Sequence, residues 1–525
     1  MVAVGLQALA LASQYFQSSL DGDYLYPQQF AEDVLRGTHP LSGWTLSSAP
    51  YFFPDFAGSI LLVWLRPGAP VAPYYVTAAY LGLAAMAGWS LSRCGWKGWG
   101  GWLAGAVLVN VLLACRDIAD HARSLWWLGS PGFHGGAVLL GLAQFSLWAG
   151  PTEEKPTKGK LLVAAILMFL GLSSDSLLLT QFLLPLGLAL IMSATHAWPQ
   201  APRVRWFFGV LLGVILMVII WRIVLAKVGW WHFSKVIRYA PTPAAIMGAA
   251  RKFAHDLVEN VPLQSGALLL VSAVVGGWAI WLAWRRRCGA LDHCVERRQA
   301  RWFALACTVS TLLLPIIAVY WKNAQHVRYL LPCFIIPAWV GLASLSAVGE
   351  IGRKITLGLV TIFLVGAIAG SAPKIRSSAW SWPYPPGLQQ IDEFLEQEGL
   401  SCGLADYWNA YLLNRLSHRN LRLTQVRPDA RLKFWNNNAF HYYDINPDFG
   451  FLQPPACRFI ITDGLDLAAL KERFGEADRH VDVGGYHLWI YDTNNAIRIG
   501  RLVDEEIRTF LGDAPGFELI KEPSK

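Results

Sequence analysis

Long apolar blocks, separated by short polar segments, run from residue 1 to residue 371. A helix needs about 20 apolar residues to cross a bilayer, and blocks near that length predict about 11 transmembrane helices. The predicted spans are residues 1–17, 72–92, 101–115, 135–150, 161–179, 181–196, 206–226, 266–284, 302–320, 330–348 and 355–371. A further apolar run, at 56–65, is too short to cross and is expected to lie half-buried.

The pattern changes after residue 371, where short helical and strand patterns alternate. A proline-rich stretch ends a linker at 372–386, and we expect a separate α/β unit with a partly parallel sheet over 387–525. Gly484-Gly485 favours a turn or a bulge. The predicted elements of the tail are helices at 387–399 and 409–418, and strands at 402–406, 421–426, 457–462 and 485–491.

Composition and charge support a membrane location. Of the 525 residues, 54% are hydrophobic and 15% are charged, which is less charge than a soluble protein of this size carries. The basic residues lie mostly in alternate loops, with the largest group between 285 and 301, and this bias predicts that those loops are cytoplasmic. The N-terminus is then cytoplasmic and the tail extracytoplasmic. Because the net charge of +8 is mostly a topology signal, we expect no nucleic-acid partner.

Two local features have alternative interpretations. Ala10-Leu11-Ala12 resembles a signal-peptidase site, but no Lys or Arg precedes the apolar run, so a retained first span is favoured. Cys402 and Cys457 lie in the outer tail, where they form either a disulfide or two buried thiols.

Two carboxylates, Asp21 and Asp23, directly follow the first apolar block. Ionisable groups at the edge of a bilayer are costly and functional by default. A carboxylate there can act as a general base. The alternative is a solvated turn that caps the next helix, since Asp is a favoured N-cap residue.

Further polar residues lie in the predicted outer loops. Asp117 and Asp120 can assist such a base or hold a divalent ion, and the alternative is an ion pair with a neighbouring arginine. His134 begins a span beside two glycines, where a hydrogen-bonded interface role is the alternative to catalysis. Asp175 interrupts an apolar segment, so it is either functional or a helix cap.

Basic groups of the outer loops are candidates for binding phosphate. The alternative is contact with the headgroups of membrane lipids. The candidates are Lys235, Arg238, Lys322, His326 and Arg328. In the tail, the segments 406–409 and 435–438 combine aromatic and amide side chains, which suits contact with carbohydrate; the alternative is a turn and part of the core.

Several short motifs resemble those of the C-type (GT-C) membrane glycosyltransferases, a superfamily that includes the protein O-mannosyltransferases and the lipid A aminoarabinose transferases. The resemblance covers most of the chain by layout. The motifs are Asp23-Tyr24-Leu25-Tyr26-Pro27 with the following 30–37, Tyr51-Phe52-Phe53-Pro54-Asp55, His134-Gly135-Gly136 and Arg328-Tyr329-Leu330-Leu331-Pro332.

The resemblance implies a GT-C-like catalytic domain at 1–371 in a bacterial inner membrane, with the tail in the periplasm. It implies inverting transfer of a sugar from a polyprenyl-phosphate donor to a lipid, glycan or protein acceptor of the cell envelope. Many members have Asp-Glu where this chain has Asp23-Tyr24, which leaves Asp21 open as the match, although the following helix favours Asp23. Asp55 and Tyr329 join the substrate-binding candidates. The alternatives are a transporter or flippase of lipid-linked sugars and a non-catalytic scaffold of envelope assembly.

Overall fold

The structure is a computed structural model with side chains. Apart from isolated positions at 247, 251, 358, 365–366 and 368–370, it describes residues 1–18, 22–37, 39–47, 49–96, 98–118, 134–194, 201–228, 232–233, 295–317, 331–345, 384–419, 421–442, 444–445, 452–453 and 457–512.

Helices make up most of the part before residue 346. They are α1 Val2–Ser18, α2 Gly22–Arg36, α3 Ala57–Leu65, α4 Ala72–Arg93, α5 Trp99–Ile118, α6 Gly135–Trp148, α7 Lys158–Ser174, α8 Leu184–Ser193, α9 Pro202–Val228, α10 Val295–Ile317 and α11 Leu331–Leu345. The short strands β1 Trp44–Leu46 and β2 His232–Phe233 lie between them.

The prediction of a polytopic membrane protein with about 11 spans is wrong. Within the described ranges, one helix, α9, has both the length and the apolar composition to cross a bilayer, with 27 residues and a mean hydropathy of 2.7 in its best window. Apolar helices at several other predicted positions have only 10–17 residues. At about 1.5 Å per residue, they fall short of the roughly 30 Å of a bilayer core. The predicted spans 266–284 and 355–371 lie outside the described residues, apart from isolated positions.

The physical reason is that the apolar residues of these helices are buried against one another. Helix α4 packs on α1, α5 and α6, and their buried side chains belong to one continuous core. Glycines allow the closest approach, since a Cβ atom added at Gly105 of α5 would lie 2.4 Å from the backbone nitrogen of Gly88 in α4. An apolar block predicts burial, and it does not distinguish burial in lipid from burial against another helix.

Helix α9 differs from these packed helices because much of its apolar surface is uncovered. Only 22% of its most apolar window is buried. Leu212 is 70% exposed, and Leu216, Met217 and Ile220 are also more than half exposed. An apolar surface of this extent marks a site of interaction with a membrane or with another protein.

The tail agrees with its predicted elements. Its helices are α12 Pro386–Gln397, α13 Tyr407–Leu416, α14 Leu467–Phe474 and α15 Thr493–Gly512. Its strands are β3 Cys402–Asp406, β4 Arg422–Val426, β5 Asn437–Asn438, β6 Asp444–Ile445, β7 Leu452–Gln453, β8 Phe459–Ile461, β9 Arg479–Val483 and β10 Tyr486–Ile490. Five of them form one sheet in the order β4-β3-β8-β10-β9. Strand β3 is parallel to β4 and β8, and β10 is antiparallel to β8 and β9, so the sheet is partly parallel as expected.

Gly484 and Gly485 form the predicted turn, between β9 and β10. Both have positive φ angles, +63° and +85°. Two consecutive residues with positive φ make the turn that best matches the twist of a two-residue hairpin. Cys402 and Cys457 are buried free thiols, with their Sγ atoms 3.5 Å apart.

A second, small sheet joins the tail to the helical part. Strand β1 pairs with β2 in parallel and with β5 in antiparallel orientation. In this register Trp44 faces Asn438 across the two strands. The sheet therefore brings the segment after α2 together with residues almost 400 positions later in the chain.

Candidate functional site

Asp23 lies where the helical part meets the tail. It is in the first turn of α2, where the helix dipole stabilises a negative charge. The Tyr407 hydroxyl donates a hydrogen bond of 2.9 Å to Asp23 Oδ1. Tyr407 is held in turn at the first position of α13, because the Asp406 carboxylate caps that helix by accepting from the backbone nitrogen of Asn409 at 2.9 Å.

A lysine and several aromatic rings surround this hydrogen bond. The Lys433 ammonium lies 4.1 Å from the centre of the Tyr407 ring and 5.1 Å from that of Trp435. Burial lowers the pKa of Lys433, while the charges of Asp23 and Asp406 act in the opposite direction. These two charge effects indicate that Lys433 lies near both carboxylates.

The hydroxyl of Tyr407 stays protonated. Burial raises its pKa well above the ordinary value, and the charge of Asp23 raises it further. The ring packs 5.4 Å from Trp435 and 4.8 Å from Trp408, measured between centroids. Trp408 is 44% exposed, so an aromatic side chain next to Tyr407 is open to solvent. The two tail segments singled out in the sequence, 406–409 and 435–438, are therefore neighbours.

Helices α2 and α13 meet at two points. Beyond Asp23 and Tyr407, the Arg415 guanidinium donates to both Glu32 oxygens, at 2.7 and 2.9 Å. Asp23 and Glu32 are nine residues apart on one helix, and Tyr407 and Arg415 are eight apart on the other. At about 1.5 Å per residue these spacings are roughly 13 and 12 Å, so the two helices run alongside each other in the same direction.

The buried hydroxyl of Tyr26 is under the influence of both Asp23 and Asp55. Burial raises the pKa of Tyr26 strongly, and the neighbouring Tyr51, Asp23 and Asp55 raise it further. Asp55 is 3% exposed and accepts a short hydrogen bond from the Tyr75 hydroxyl. Two of the predicted acidic candidates therefore lie near the same buried hydroxyl group.

The structure also brings His134 and Asp175 together. His134 Nδ1 lies 2.7 Å from Asp175 Oδ2, and His134 Nε2 lies 3.1 Å from the Tyr51 hydroxyl. All three side chains are buried. Asp175 also interacts electrostatically with Arg222 of α9. Asp175 also caps the following turn by accepting from the backbone nitrogen of Leu177 at 2.9 Å.

A separate polar cluster surrounds Asp33 at the end of α2. His39 Nδ1 lies 2.9 Å from Asp33 Oδ1. Trp44 Nε1 donates to Asp33 Oδ2 at 2.8 Å, Asn438 Nδ2 donates to the same oxygen at 2.9 Å, and His441 Nε2 lies 2.9 Å from it. Burial opposes ionisation of Asp33, yet its hydrogen bonds outweigh this effect and lower the pKa of the carboxyl group. Burial lowers the pKa of His441, against the effect of Asp33.

The remaining predicted site residues cannot be placed. Of Asp117, only the backbone is described, at the end of α5. Asp21, Asp120, Lys235, Arg238, Lys322, His326, Arg328 and Tyr329 lie outside the described residues.

Sequence reasoning missed Tyr407 and Lys433 as partners of Asp23, and it missed the whole Asp33 cluster. Asp23 and Tyr407 are 384 positions apart in the sequence, and Asp33 and His441 are 408 positions apart. No local pattern connects positions at such separations. The available signals were the tail segments 406–409 and 435–438, whose aromatic and amide side chains suit contact with carbohydrate and which include Tyr407 and Asn438.

The chain was compared with known protein families and with curated proteins. No family model matches it, and no curated protein matches it at a significant level. The likeness to the GT-C glycosyltransferases is therefore a resemblance carried by short motifs.

Proposed function

We propose that this protein is a membrane-associated glycosyltransferase that moves a sugar from a polyprenyl-phosphate donor to a cell-envelope acceptor, with inversion. The observation that carries the proposal is the convergence of Asp23 with the two aromatic segments of the tail. Carboxylate, ammonium and aromatic faces lie within one small region, through Tyr407, Lys433 and Trp435. These groups suit transfer of a sugar from a phosphate, which needs an oriented acceptor and stabilisation of the developing charge.

In this reaction the acceptor hydroxyl or amine attacks the anomeric carbon. Its proton passes to the Asp23 carboxylate, the bond between the anomeric carbon and the phosphate oxygen breaks, and the lipid phosphate leaves with the electron pair. The hydrogen bond from Tyr407 holds the carboxylate in place. The Lys433 ammonium suits the departing phosphate, and the exposed ring of Trp408 suits the face of a sugar.

The uncovered apolar surface of α9 supports contact with a membrane, where a polyprenyl chain resides. The resemblance to the GT-C glycosyltransferases favours a bacterial inner membrane with the tail on the periplasmic side. This membrane orientation belongs to the proposal, since the structure contains no membrane.

The test is transfer of label from a panel of radiolabelled polyprenyl-phosphate sugars to envelope extract by the purified protein in lipid. We expect Asp23→Asn to abolish transfer and Tyr407→Phe to reduce it. Tyr384→Phe is the matched control, because Tyr384 also donates one 2.9 Å hydrogen bond to a carboxylate, that of Asp392, away from Asp23. It should leave transfer unchanged.

The other outcomes separate the alternatives. Equal transfer by wild type and Asp23→Asn would move the base to Asp21 or to the loop of Asp117 and Asp120. Absence of transfer by folded wild type with every donor would contradict the enzyme and favour a transporter or a scaffold. A flippase would then move labelled donor across vesicles without transferring the sugar.

A further inference from the structure

The cluster around Asp33 contains three side chains that can ligate a metal ion. Asp33, His39 and His441 each offer one ligand atom, and these atoms all lie within 4.8 Å of one another. Asp33 is almost fully buried, and the two imidazole rings pack edge to face with centroids 4.3 Å apart. One ligand comes from α2, one from the loop after it, and one from the tail.

Hydrogen bonds alone do not account well for this cluster. Asp33 Oδ2 has three partners, because Trp44 Nε1, Asn438 Nδ2 and His441 Nε2 all lie within 2.9 Å of it. A carboxylate oxygen offers about two lone pairs. Trp44 and Asn438 can act only as donors through these nitrogens, so they occupy both positions. His441 is the one partner whose nitrogen near Asp33, Nε2, need not carry a proton, because the other ring nitrogen, Nδ1, can carry it instead.

The surroundings of the second ring nitrogen of His441, Nδ1, provide a second observation. His441 Nδ1 lies 2.7 Å from the amide nitrogen of Gln29, while Gln29 Oε1 is buried without a hydrogen-bond partner in the described part of the chain. The two ends of an amide are assigned from the hydrogen-bond network, and rotation exchanges them. In the rotated orientation, Gln29 Oε1 accepts a proton from His441 Nδ1, and the lone pair of Nε2 then faces Asp33.

From this geometry we propose that Asp33, His39 and His441 bind a divalent transition-metal ion, with Gln29 orienting His441. Two imidazoles and a carboxylate are a common ligand set for zinc, which leaves a fourth position for water or substrate. A bound cation would accept the lone pair of His441 Nε2 and would neutralise the Asp33 carboxylate, whose other oxygen, Oδ1, faces His39.

The ligand atoms lie within 4.8 Å of one another, so a bound ion requires the side chains to shift. Tetrahedral zinc with bonds of about 2.0–2.1 Å separates its ligand atoms by roughly 3.3 Å. The two imidazole nitrogens are each 2.9 Å from a carboxylate oxygen of Asp33. The outer amide contact matches the usual pattern, in which the second nitrogen of a ligating histidine donates to an oxygen.

The test measures metal binding by the full-length protein and does not depend on sugar transfer. After dialysis against zinc and then buffer, we expect mass spectrometry to find one zinc per chain in wild type, and none in His39→Gln or His441→Gln. Substituted cobalt should give the visible absorption of a tetrahedral site. Gln29→Ala should bind zinc about 10- to 100-fold more weakly, as expected for loss of an outer hydrogen bond.

His487→Gln is the matched control. His487 Nδ1 lies 2.8 Å from Asp463 Oδ1, so it forms another histidine–aspartate pair, on the exposed side of the tail. This variant should keep the wild-type metal content. Chelator should lower the unfolding temperature of wild type, and zinc should restore it.

Two results would overturn the proposal. One is folded wild type that retains no zinc or cobalt at any tested concentration. The other is wild-type stoichiometry in folded His39→Gln and His441→Gln. If these variants do not fold, the metal content and the cobalt spectrum of wild type decide, together with Gln29→Ala. Because no readout is catalytic, failure of the glycosyltransferase proposal leaves this result interpretable.

Discussion

The ion pair between Glu32 and Arg415 provides a quantitative test of how the tail is held against α2. Arg415 donates two hydrogen bonds, at 2.7 and 2.9 Å, and the side chains are 26% and 13% exposed for Arg415 and Glu32. A hydrogen bond to a charged group contributes about 1.5–3 kcal/mol when shielded, and exposed ion pairs contribute about 0.2–1 kcal/mol. Partial exposure places this bidentate pair between them, at about 1–2 kcal/mol of coupling.

The perturbation is a double-mutant cycle with Glu32→Gln and Arg415→Gln. Hydrogen exchange measured by mass spectrometry on peptides of α2 and α13 reports the local opening of these helices. Each single substitution should speed exchange there by roughly 5- to 30-fold, which corresponds to about 1–2 kcal/mol. The double substitution should cost little more than either single one, because the interaction is already lost.

The control cycle uses Lys471 and Glu476, whose nitrogen and oxygen are 3.0 Å apart and whose side chains are 49% and 62% exposed. Its coupling should stay near the low end for surface pairs, about 0.2–0.5 kcal/mol. Additive effects of Glu32→Gln and Arg415→Gln, or coupling no larger than in the control, would refute the reasoning. The tail would then be held on α2 by its other contacts, which include the hydrogen bonds to Asp23 and Asp33.

Three further predictions concern separate parts of the chain. The pKa of His487 should be raised above its ordinary value by its hydrogen bond with Asp463, and NMR titration should find it lowered in Asp463→Asn. The stabilisation from this pair should be complete below about pH 6.5 and should be lost as the pH rises through the raised pKa. Cys457 should resist alkylation at pH 8 until the protein unfolds, because its hydrogen bond with Cys402 and burial raise the pKa of its thiol; rapid labelling of folded protein would contradict this. Gly22→Ala should reduce sugar transfer with little loss of stability, since the added Cβ would lie 3.1–3.3 Å from aromatic side chains of α13; unchanged transfer would count against a tight fit there.

The elements of the tail could be predicted because their signals are local. Strand β3 and helix α12 follow from alternation and from an amphipathic pattern, and the turn at Gly484 and Gly485 follows from a glycine pair. The membrane spans could not be predicted correctly from the same kind of pattern. Apolar helices that pack on one another, such as α4 and α5, have the composition of short spans, and their contacts are not visible in the sequence.

The same distinction between local signals and long-range contacts applies to the candidate site. Asp23 could be found because its position, after an apolar block and at a helix start, is a local property. His134 and Asp175 were each noted alone, but their contact across 41 positions was not. The partners of Asp33 were missed because strand pairing between β1 and β5 creates them, and a two-residue strand has no readable pattern.

The tail contributes a residue to each of the two proposed sites. Tyr407 supplies the hydrogen bond to Asp23, and His441 supplies the third ligand atom beside Asp33. Helix α2 carries both carboxylates, ten residues or about 15 Å apart along its axis. A shift of the tail along α2 would disturb both sites at once, because in each site α2 carries the carboxylate and the tail carries a partner of it. Local opening of this interface would thus switch off the proposed chemistry and release the proposed metal together, although the two activities have no residue in common.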